Sequence, residues 1–359
     1  MPPFLFLILL FELYQRLTIM SLMNRDIQKI AIVRLSALGD IVNSAFVLQF
    51  IRQNYPHATI TWIVEESFAA VLKNAKYLDT IQTVNLKKIK KEKSFSQLSQ
   101  LKEEYKKLKS IADFDIVIDM QGLIKSALVA RILGKNTHGF DKHSTRESFA
   151  ALFYKTATNI AYEENVISRN AKVIADALNI PITQEMVENK EPVFNITTNF
   201  SLQKEKKNIV FVIGASWPSK IYPKEKVANI CNALEEESYI IWGNQKEYED
   251  ALWICEHSKY AKMAPKLSLD ELVSFISHMD LLIGNDTGPT HMAWAQNIPS
   301  ITLLGPTTTR MIGQTSKNIG IKSASQVDIL KINKNDFSIK TIDEQNIINQ
   351  AKELLNHGL

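Results

Sequence analysis

Apolar runs of four to seven residues, each followed by a polar or glycine-containing turn and then a stretch with helical spacing, recur along most of this chain. Lys29-Ile-Ala-Ile-Val-Arg34 has the continuous apolar character of a strand buried on both faces, and Ile41 to Arg52 has apolar residues at helical spacing. Strands are predicted again over residues 58–64 and 80–84, with a helix near 68–74 between them, and then over 114–120, followed by a helix to about Leu133. After residues 189–207, which have no apolar period, the alternation restarts. Strands are expected at 208–213, 238–242, 281–285 and 300–304, and helices up to Glu236, at 248–257, at 269–277 and after Gly288. A last amphipathic helix is expected over 341–355. Strand and helix alternating at this pitch argue for parallel sheets covered by helices on both faces.

This pattern divides the chain. Residues 29–190 form one Rossmann-like unit, 191–207 a linker, 208–335 a second unit, and 336–359 a C-terminal helix. Residues 1–28 open with Phe4-Leu-Phe-Leu-Ile-Leu-Leu-Phe11, too short to span a bilayer and without the basic flank or cleavage site of a signal peptide. With Met20 and Met23 just ahead of the first strand, this extension reads as a start placed too far upstream or as a membrane-skimming helix.

Composition adds limits. At 359 residues, 45% hydrophobic and 22% charged, the chain suits a globular protein of about two domains. A net charge of +4 permits acidic ligands or an anionic membrane without requiring nucleic acid. Two cysteines fit a reducing compartment, and no Cys or His spacing resembles a zinc site. Neither unit has a G-x-G-x-x-G after its first strand, and no G-x-x-x-x-G-K-[ST] occurs, which disfavours dinucleotide redox chemistry and a P-loop. Lysines cluster between Lys87 and Lys109. They read either as a solvated helix face with pairs such as Glu103 to Lys107, or as a contact for anionic lipid headgroups.

The candidate chemistry sits on loops after strands, where ligands bind in such sheets. Asp286, Thr287 and Gly288 precede a helix whose first amides and positive end favour an anion, Pro289 suits the first turn, and His291 projects from it. Plain capping by Asp286 or Thr287 explains the same residue types. Asp40 at the start of the first helix can act as general base or simply cap. Lys220, in a loop flanked by Trp217, Pro218 and Pro223, can neutralise a diphosphate or be one more surface lysine. Glu247, four residues past Gly243, can accept ribose hydroxyls or be an ordinary first-turn glutamate, and Lys125, Lys142, Arg146 and Glu147 lie on polar loops.

Several separated segments occur together in one order: Ser36-Ala-Leu-Gly-Asp40, Asp119-Met-Gln-Gly-Leu-Ile-Lys-Ser126, Ser144-Thr-Arg-Glu147, Lys220-Ile-Tyr-Pro223, Asp286-Thr-Gly-Pro-Thr-His291 and Leu304-Gly-Pro-Thr307. Over about residues 30–321 the chain thereby resembles the ADP-heptose:lipopolysaccharide heptosyltransferases, glycosyltransferase family 9. The resemblance implies a GT-B fold of two Rossmann-like domains facing across a cleft, and an inverting direct displacement that uses neither cofactor nor metal. It implies ADP-heptose as donor and Kdo-lipid A as acceptor in lipopolysaccharide inner-core synthesis. The location implied is cytoplasmic, peripheral on the inner membrane. By the same resemblance Asp40 matches the base. Lys220 matches the lysine at the donor diphosphate, Glu247 the carboxylate at the ribose, and Asp286, Thr287, Gly288 and His291 the donor loop. Lys125 and Arg146 match acceptor-side cations. Between Gly214 and Lys220 the chain departs from the family's pattern, leaving Ser216 as the hydroxyl contact there. Within the family, the Gln121–Lys125 and Ser144–Glu147 segments favour transfer to Kdo over transfer to an already heptosylated acceptor. A non-catalytic ADP-sugar-binding protein of the same fold is the reading from another class.

Overall fold

The computed structural model describes residues 27–91, 96–202 and 204–356. The expected extension, residues 1–28, lies outside them but for its last two positions, as do residues 92–95 of the lysine-rich segment.

Two parallel six-stranded sheets carry the fold. The first contains β1 (Lys29–Val33), β2 (Thr59–Glu65), β3 (Thr80–Val84), β4 (Ile116–Asp119), β5 (Thr137–Phe140) and β6 (Thr156–Thr158), in the order β3-β2-β1-β4-β5-β6. The second contains β7 (Asn208–Val212), β8 (Glu237–Ile241), β9 (Ala261–Met263), β10 (Leu281–Asn285), β11 (Ser300–Leu304) and β12 (Asn318–Lys322), in the order β12-β11-β10-β7-β8-β9. Numbered within its own half, each sheet has the same doubly wound order, so the winding reverses between β1 and β4 and again between β7 and β10. Ile30, Ala31, Ile32 and Val33 are all buried, as are all five residues of β10, as expected of central strands covered on both faces. Register follows the same apolar logic, with Ile30, Ala31 and Ile32 opposite Ile116, Val117 and Ile118.

Several local expectations change. The helix expected over 41–52 is two, Leu38–Ala45 and Val47–Asn54. Ser44 Oγ donates back to the Asp40 carbonyl at 2.6 Å, a local bond that bends helices. Strand β5, ending in Gly139 and Phe140, is a further addition to the expected elements. That strand lacks an apolar alternation because its buried His138 meets Thr156 at 2.8 Å and Thr158 at 2.9 Å, so polar pairs join β5 to β6. The helices Val166–Leu178 and Gln184–Glu188 and the short strands β6, β9 and β12 add to the expected elements. In the lysine-rich region, Lys107 pairs with Glu104 at 3.8 Å, one residue away from the expected partner Glu103.

Between Glu188 and Asn208 the described chain has no helix or strand, only a bridge from Phe194 to Ala75. The helix Glu344–Asn356 buries Ile347, Ile348, Ala351, Leu354 and Leu355 against the second sheet. The two halves share one apolar cluster running from Ile32 and Phe46 to Met292 and Trp294. At its centre the helix Leu38–Ala45 packs on the helix Gly288–Ala295, and the Phe46 and Trp294 rings meet edge to face at 5.4 Å. Lys190 closes this junction. Its buried Nζ donates to the carbonyls of Trp294 at 2.8 Å and Ala295 at 3.1 Å and to Asn297 Oδ1 at 2.6 Å, satisfying the last carbonyls of that helix.

Replacing Lys190 by Met keeps the stem but removes all three of these bonds, leaving the two carbonyls only their backbone partners, the N–H groups of Asn297 and Val193, so unfolding free energy is expected to fall by about 1–2 kcal/mol. A urea midpoint equal to that of the parent protein would show that these bonds contribute nothing net.

Candidate active site at the domain junction

The carboxyl end of β1 leads through Arg34 into the loop before the helix Leu38–Ala45, whose third residue is Asp40. Asp40 Oδ2 accepts from the Ala37 N–H at 3.2 Å, so the capping role is real. Its other oxygen, Oδ1, lies 3.1 Å from Arg34 Nη2, and about a quarter of the side chain remains exposed. Arg34 also donates through Nη1 to the Met120 carbonyl.

Next to β1, strand β4 ends in Asp119, which is fully buried. Asp119 Oδ1 accepts from the N–H groups of Gln121 at 2.8 Å and Gly122 at 3.2 Å, and Oδ2 from the Tyr154 hydroxyl at 2.7 Å. Burial pushes its carboxyl pKa up, against the opposing pull of these hydrogen bonds. The turn needs glycine because φ is +68° at Gly122, a region side chains avoid. Gln121, aimed by this turn, accepts from the Leu35 N–H at 2.8 Å and so holds the loop that carries Asp40.

The second half repeats the arrangement. Asn285, ending β10, donates through Nδ2 to the Ile213 carbonyl at 2.8 Å and accepts from the Tyr222 N–H at 3.1 Å, which anchors both ends of the loop after β7. Lys220 on that loop places Nζ 2.7 Å from Asp286 Oδ2, and His291 Nε2 lies 3.3 Å from Asp286 Oδ1. All three side chains are buried. Burial alone raises the Asp286 pKa, but the Lys220 charge and the His291 hydrogen bond outweigh it and hold the carboxyl well below the usual carboxylate range. With a depressed folded-state pKa, Asp286 contributes stability above its unfolded value and loses it only as pH falls through the folded one. Thr287 is the N-cap of the helix Gly288–Ala295, yet no side chain caps it, so capping by Asp286 or Thr287 does not account for this sequence.

The two loop systems face a shared cavity of about 470 Å³. Asp40, Arg34, Arg146, Arg169 and Tyr162 line it from the first half, and Lys220, Asp286 and Arg310 from the second. Arg310 crosses the junction: Nε donates to the Tyr162 carbonyl at 2.6 Å and the guanidinium lies 4.2 Å from the Tyr162 ring centroid. Arg169 donates to the carbonyls of Ile160, Ala161 and Ser144, and burial lowers its pKa to about 10. Among the described residues Arg146, Arg169 and Arg310 have no carboxylate partner, whereas Lys220 and Arg34 do. Arg34 Nε, Trp217 Nε1 and Thr307 Oγ1, all on lining residues, are buried without a hydrogen-bond partner. The cavity therefore has a surplus of donors and positive charge, suited to a polyanion.

Of the residues singled out in the sequence, Asp40, Arg146, Lys220 and Asp286 line this cavity. Thr287, Gly288 and His291 stand behind Asp286 in the helix start, and Ser216 is exposed beside the lining Trp217. Glu247 lies against Gly214 at the end of β7, held by the Gly243 N–H at 2.6 Å and Asn244 Nδ2 at 2.7 Å. Lys125 is exposed outside the lining and lies near the buried Glu65 carboxyl, whose pKa burial raises against the Lys87 N–H hydrogen bond and the Lys125 and Lys87 charges. Arg34, Arg169, Arg310 and the apolar wall of Val327, Ile329 and Ile332 are additions from the structure. Arg34 had a signal, a lone charge ending an apolar strand.

A family model described as glycosyltransferase family 9 (heptosyltransferase) matches residues 104–337. Lipopolysaccharide heptosyltransferase 1 of Campylobacter coli is 41% identical over 345 residues, covering 91% of this chain and 98% of its own. The protein of the same name from Escherichia coli (strain K12) is 27% identical over 312 residues, 85% of this chain and 96% of its own. Among solved structures, E. coli heptosyltransferase WaaC with ADP shares the fold, with a TM-score of 0.76 at 24% identity over 91% of this chain and 100% of that one.

Exchanging Asp286 for Asn leaves the buried Lys220 ammonium without its counter-charge and is expected to cost about 3 kcal/mol of stability at neutral pH. An unfolding midpoint within experimental scatter of the parent would mean that the pair is solvated and not a buried ion pair.

Proposed function

The chain belongs to glycosyltransferase family 9, the heptosyltransferases, and we propose that it moves L-glycero-D-manno-heptose from ADP-heptose to Kdo of Kdo-lipid A, the heptosyltransferase I reaction. The observation that carries this reading is the meeting of Asp40 with the Lys220–Asp286 pair in one cation-rich cavity. In the proposed step a Kdo hydroxyl oxygen attacks the anomeric carbon of the donor, its proton passes to Asp40, and the bond to the diphosphate oxygen breaks, releasing ADP. One displacement on one face inverts the anomeric configuration. Arg34 keeps the Asp40 carboxylate aimed into the cavity, and Lys220 offsets the charge that grows on the departing diphosphate.

Within this reading the amides at Gly288 and Thr287 receive phosphate oxygens at the helix N-terminus, Ser216 adds a hydroxyl, and Glu247 takes the ribose hydroxyls. His291 braces Asp286, which meets the heptose. Arg146 receives acceptor carboxylates or phosphates, with Lys125 further out on the acceptor side; the unpaired Arg169 and Arg310 supply the same positive field. We also propose peripheral attachment to the cytoplasmic face of the inner membrane through the lysines between Lys87 and Lys109, supported by the exposure of Lys102, Lys106 and Lys109 along one helix. Among the described residues no helix is long and apolar enough to cross a membrane.

Substituting Asp40 by Asn is expected to lower turnover of ADP-heptose with Kdo-lipid A by about 10²- to 10⁴-fold while the fold is kept. Residual turnover close to the parent rate removes Asp40 from the role of base. Preference for a heptosylated acceptor assigns the second transfer instead, and no transfer to either acceptor by the parent protein leaves an ADP-sugar-binding role. Attachment to anionic vesicles is expected to weaken as salt is raised from about 0.05 to 0.5 M; binding indifferent to salt speaks against the lysine contact.

A further inference from the structure

The first half leaves large apolar side chains uncovered beside the cavity. Phe149 and Leu152 are 70% and 78% exposed. They stand three residues apart on the 3-10 turn Ser148–Phe153, a spacing that stacks them on one side. The helix Ile124–Leu133 packs along that turn, fastened at its start by the Ile124 N–H donating to Glu147 Oε2 at 2.7 Å. Its outward positions are Ile124, Lys125, Leu128 and Arg131, so aliphatic side chains one turn apart alternate with cations.

Charge narrows what can cover this face. Residues 124–155 contain six Lys or Arg against two Asp or Glu, a surplus equal to the +4 of the whole chain. Both acids are occupied locally, Glu147 by the Ile124 amide and Asp141 by Ser144 and Asn159. A second copy of the chain across a two-fold axis would set this positive patch against itself. Apolar tips interleaved with exposed Lys125 and Arg131 match an anionic bilayer surface, where tips enter the headgroup boundary and cations meet phosphates.

We propose that the face formed by Ile124, Leu128, Phe149 and Leu152 inserts into an anionic lipid surface. This contact is apolar and differs in kind from the electrostatic one proposed for the lysine segment between Lys87 and Lys109, whose helix Ser96–Ser110 packs beside Ile124–Leu133. The face adjoins the cavity, since Leu123, Thr145 and Arg146 line it from the same two segments. An acceptor held in the bilayer by its acyl chains thus meets Asp40 from this edge, a consequence that rests on the acceptor proposed above, whereas the lipid contact does not.

The test is flotation of the full chain with vesicles of phosphatidylethanolamine and phosphatidylglycerol, beside vesicles of phosphatidylcholine alone. The parent is expected to bind the anionic vesicles. Phe149→Ser with Leu152→Ser should weaken binding about tenfold per side chain, and Leu128→Ser on the neighbouring helix should weaken it similarly. Thermal melting should not change, because these side chains are exposed, and transfer to an acyl-free acceptor should keep the parent rate while transfer to a vesicle-embedded acceptor drops. Equal vesicle binding by parent and double variant overturns the proposal, as does a parent that ignores vesicles or that sediments as a dimer split by the two substitutions. Vesicle binding that follows the expected pattern without transfer to any acceptor supports the lipid face and counts only against the proposed reaction.

Discussion

The structure depends on one close approach, that of the helix Leu38–Ala45 to the helix Gly288–Ala295. Each of these helices follows a strand at the point where its sheet reverses its winding, so each presents its N-terminal end at a natural ligand crevice. Their meeting requires residues without side chains. A Cβ at Gly39 would collide with the His291 ring, and one at Gly288 with the Leu38 side chain. The same contact lays His291, which braces Asp286, beside the turn that carries Asp40. Two crevices that would be separate on two free-standing domains become one cavity. The edge-to-face contact of Phe46 with Trp294 and the three bonds from Lys190 hold the second helix in that position.

Charge inside the cavity follows from this geometry. Two helix N-termini point partial positive charge at the same space, and the arginines of both halves add to it. The acidic groups are restrained by neighbours: Asp40 by Arg34 and the Ala37 amide, Asp286 by Lys220 and His291. What remains unsatisfied is mostly donor or cation. Such a site suits polyanions, and in the proposed reaction it would hold the diphosphate and the acidic acceptor together and offset the charge transferred to the leaving group. The buried Asp119 has a quieter part. By ordering Gln121 and Gly122 it sets the loop from Leu35 to Asp40, so it works through other residues and not on a ligand.

The architecture was legible wherever burial was two-sided. Strands such as β1, β4, β7 and β10 are central and apolar but for a polar residue at one end, and they and the turns after them carry the polar residues that form the cavity or order its loops. The last two strands of the first sheet were harder to see because β5 and β6 pair through His138, Thr156 and Thr158, which leaves no alternation to detect. Asp40, Lys220 and Asp286 stood out because a charge after a central strand has few places to point. Arg169 and Arg310 did not, since nothing in their local sequence separates them from surface arginines; only the folding of two remote segments around Tyr162 brings them together. The wall of Val327, Ile329 and Ile332 has neither helical nor strand period, so its apolar residues announced no element.

The central claim is a division of labour: donor recognition in the second half, proton acceptance in the first. Calorimetric titration of ADP into the parent, Lys220→Met and Asp40→Asn proteins tests it most directly. The account expects Lys220→Met to weaken ADP binding by about tenfold or more, the loss of a charge-assisted contact, and Asp40→Asn to keep the parent affinity. Equal losses in both variants, or undiminished ADP binding without Lys220, would contradict it.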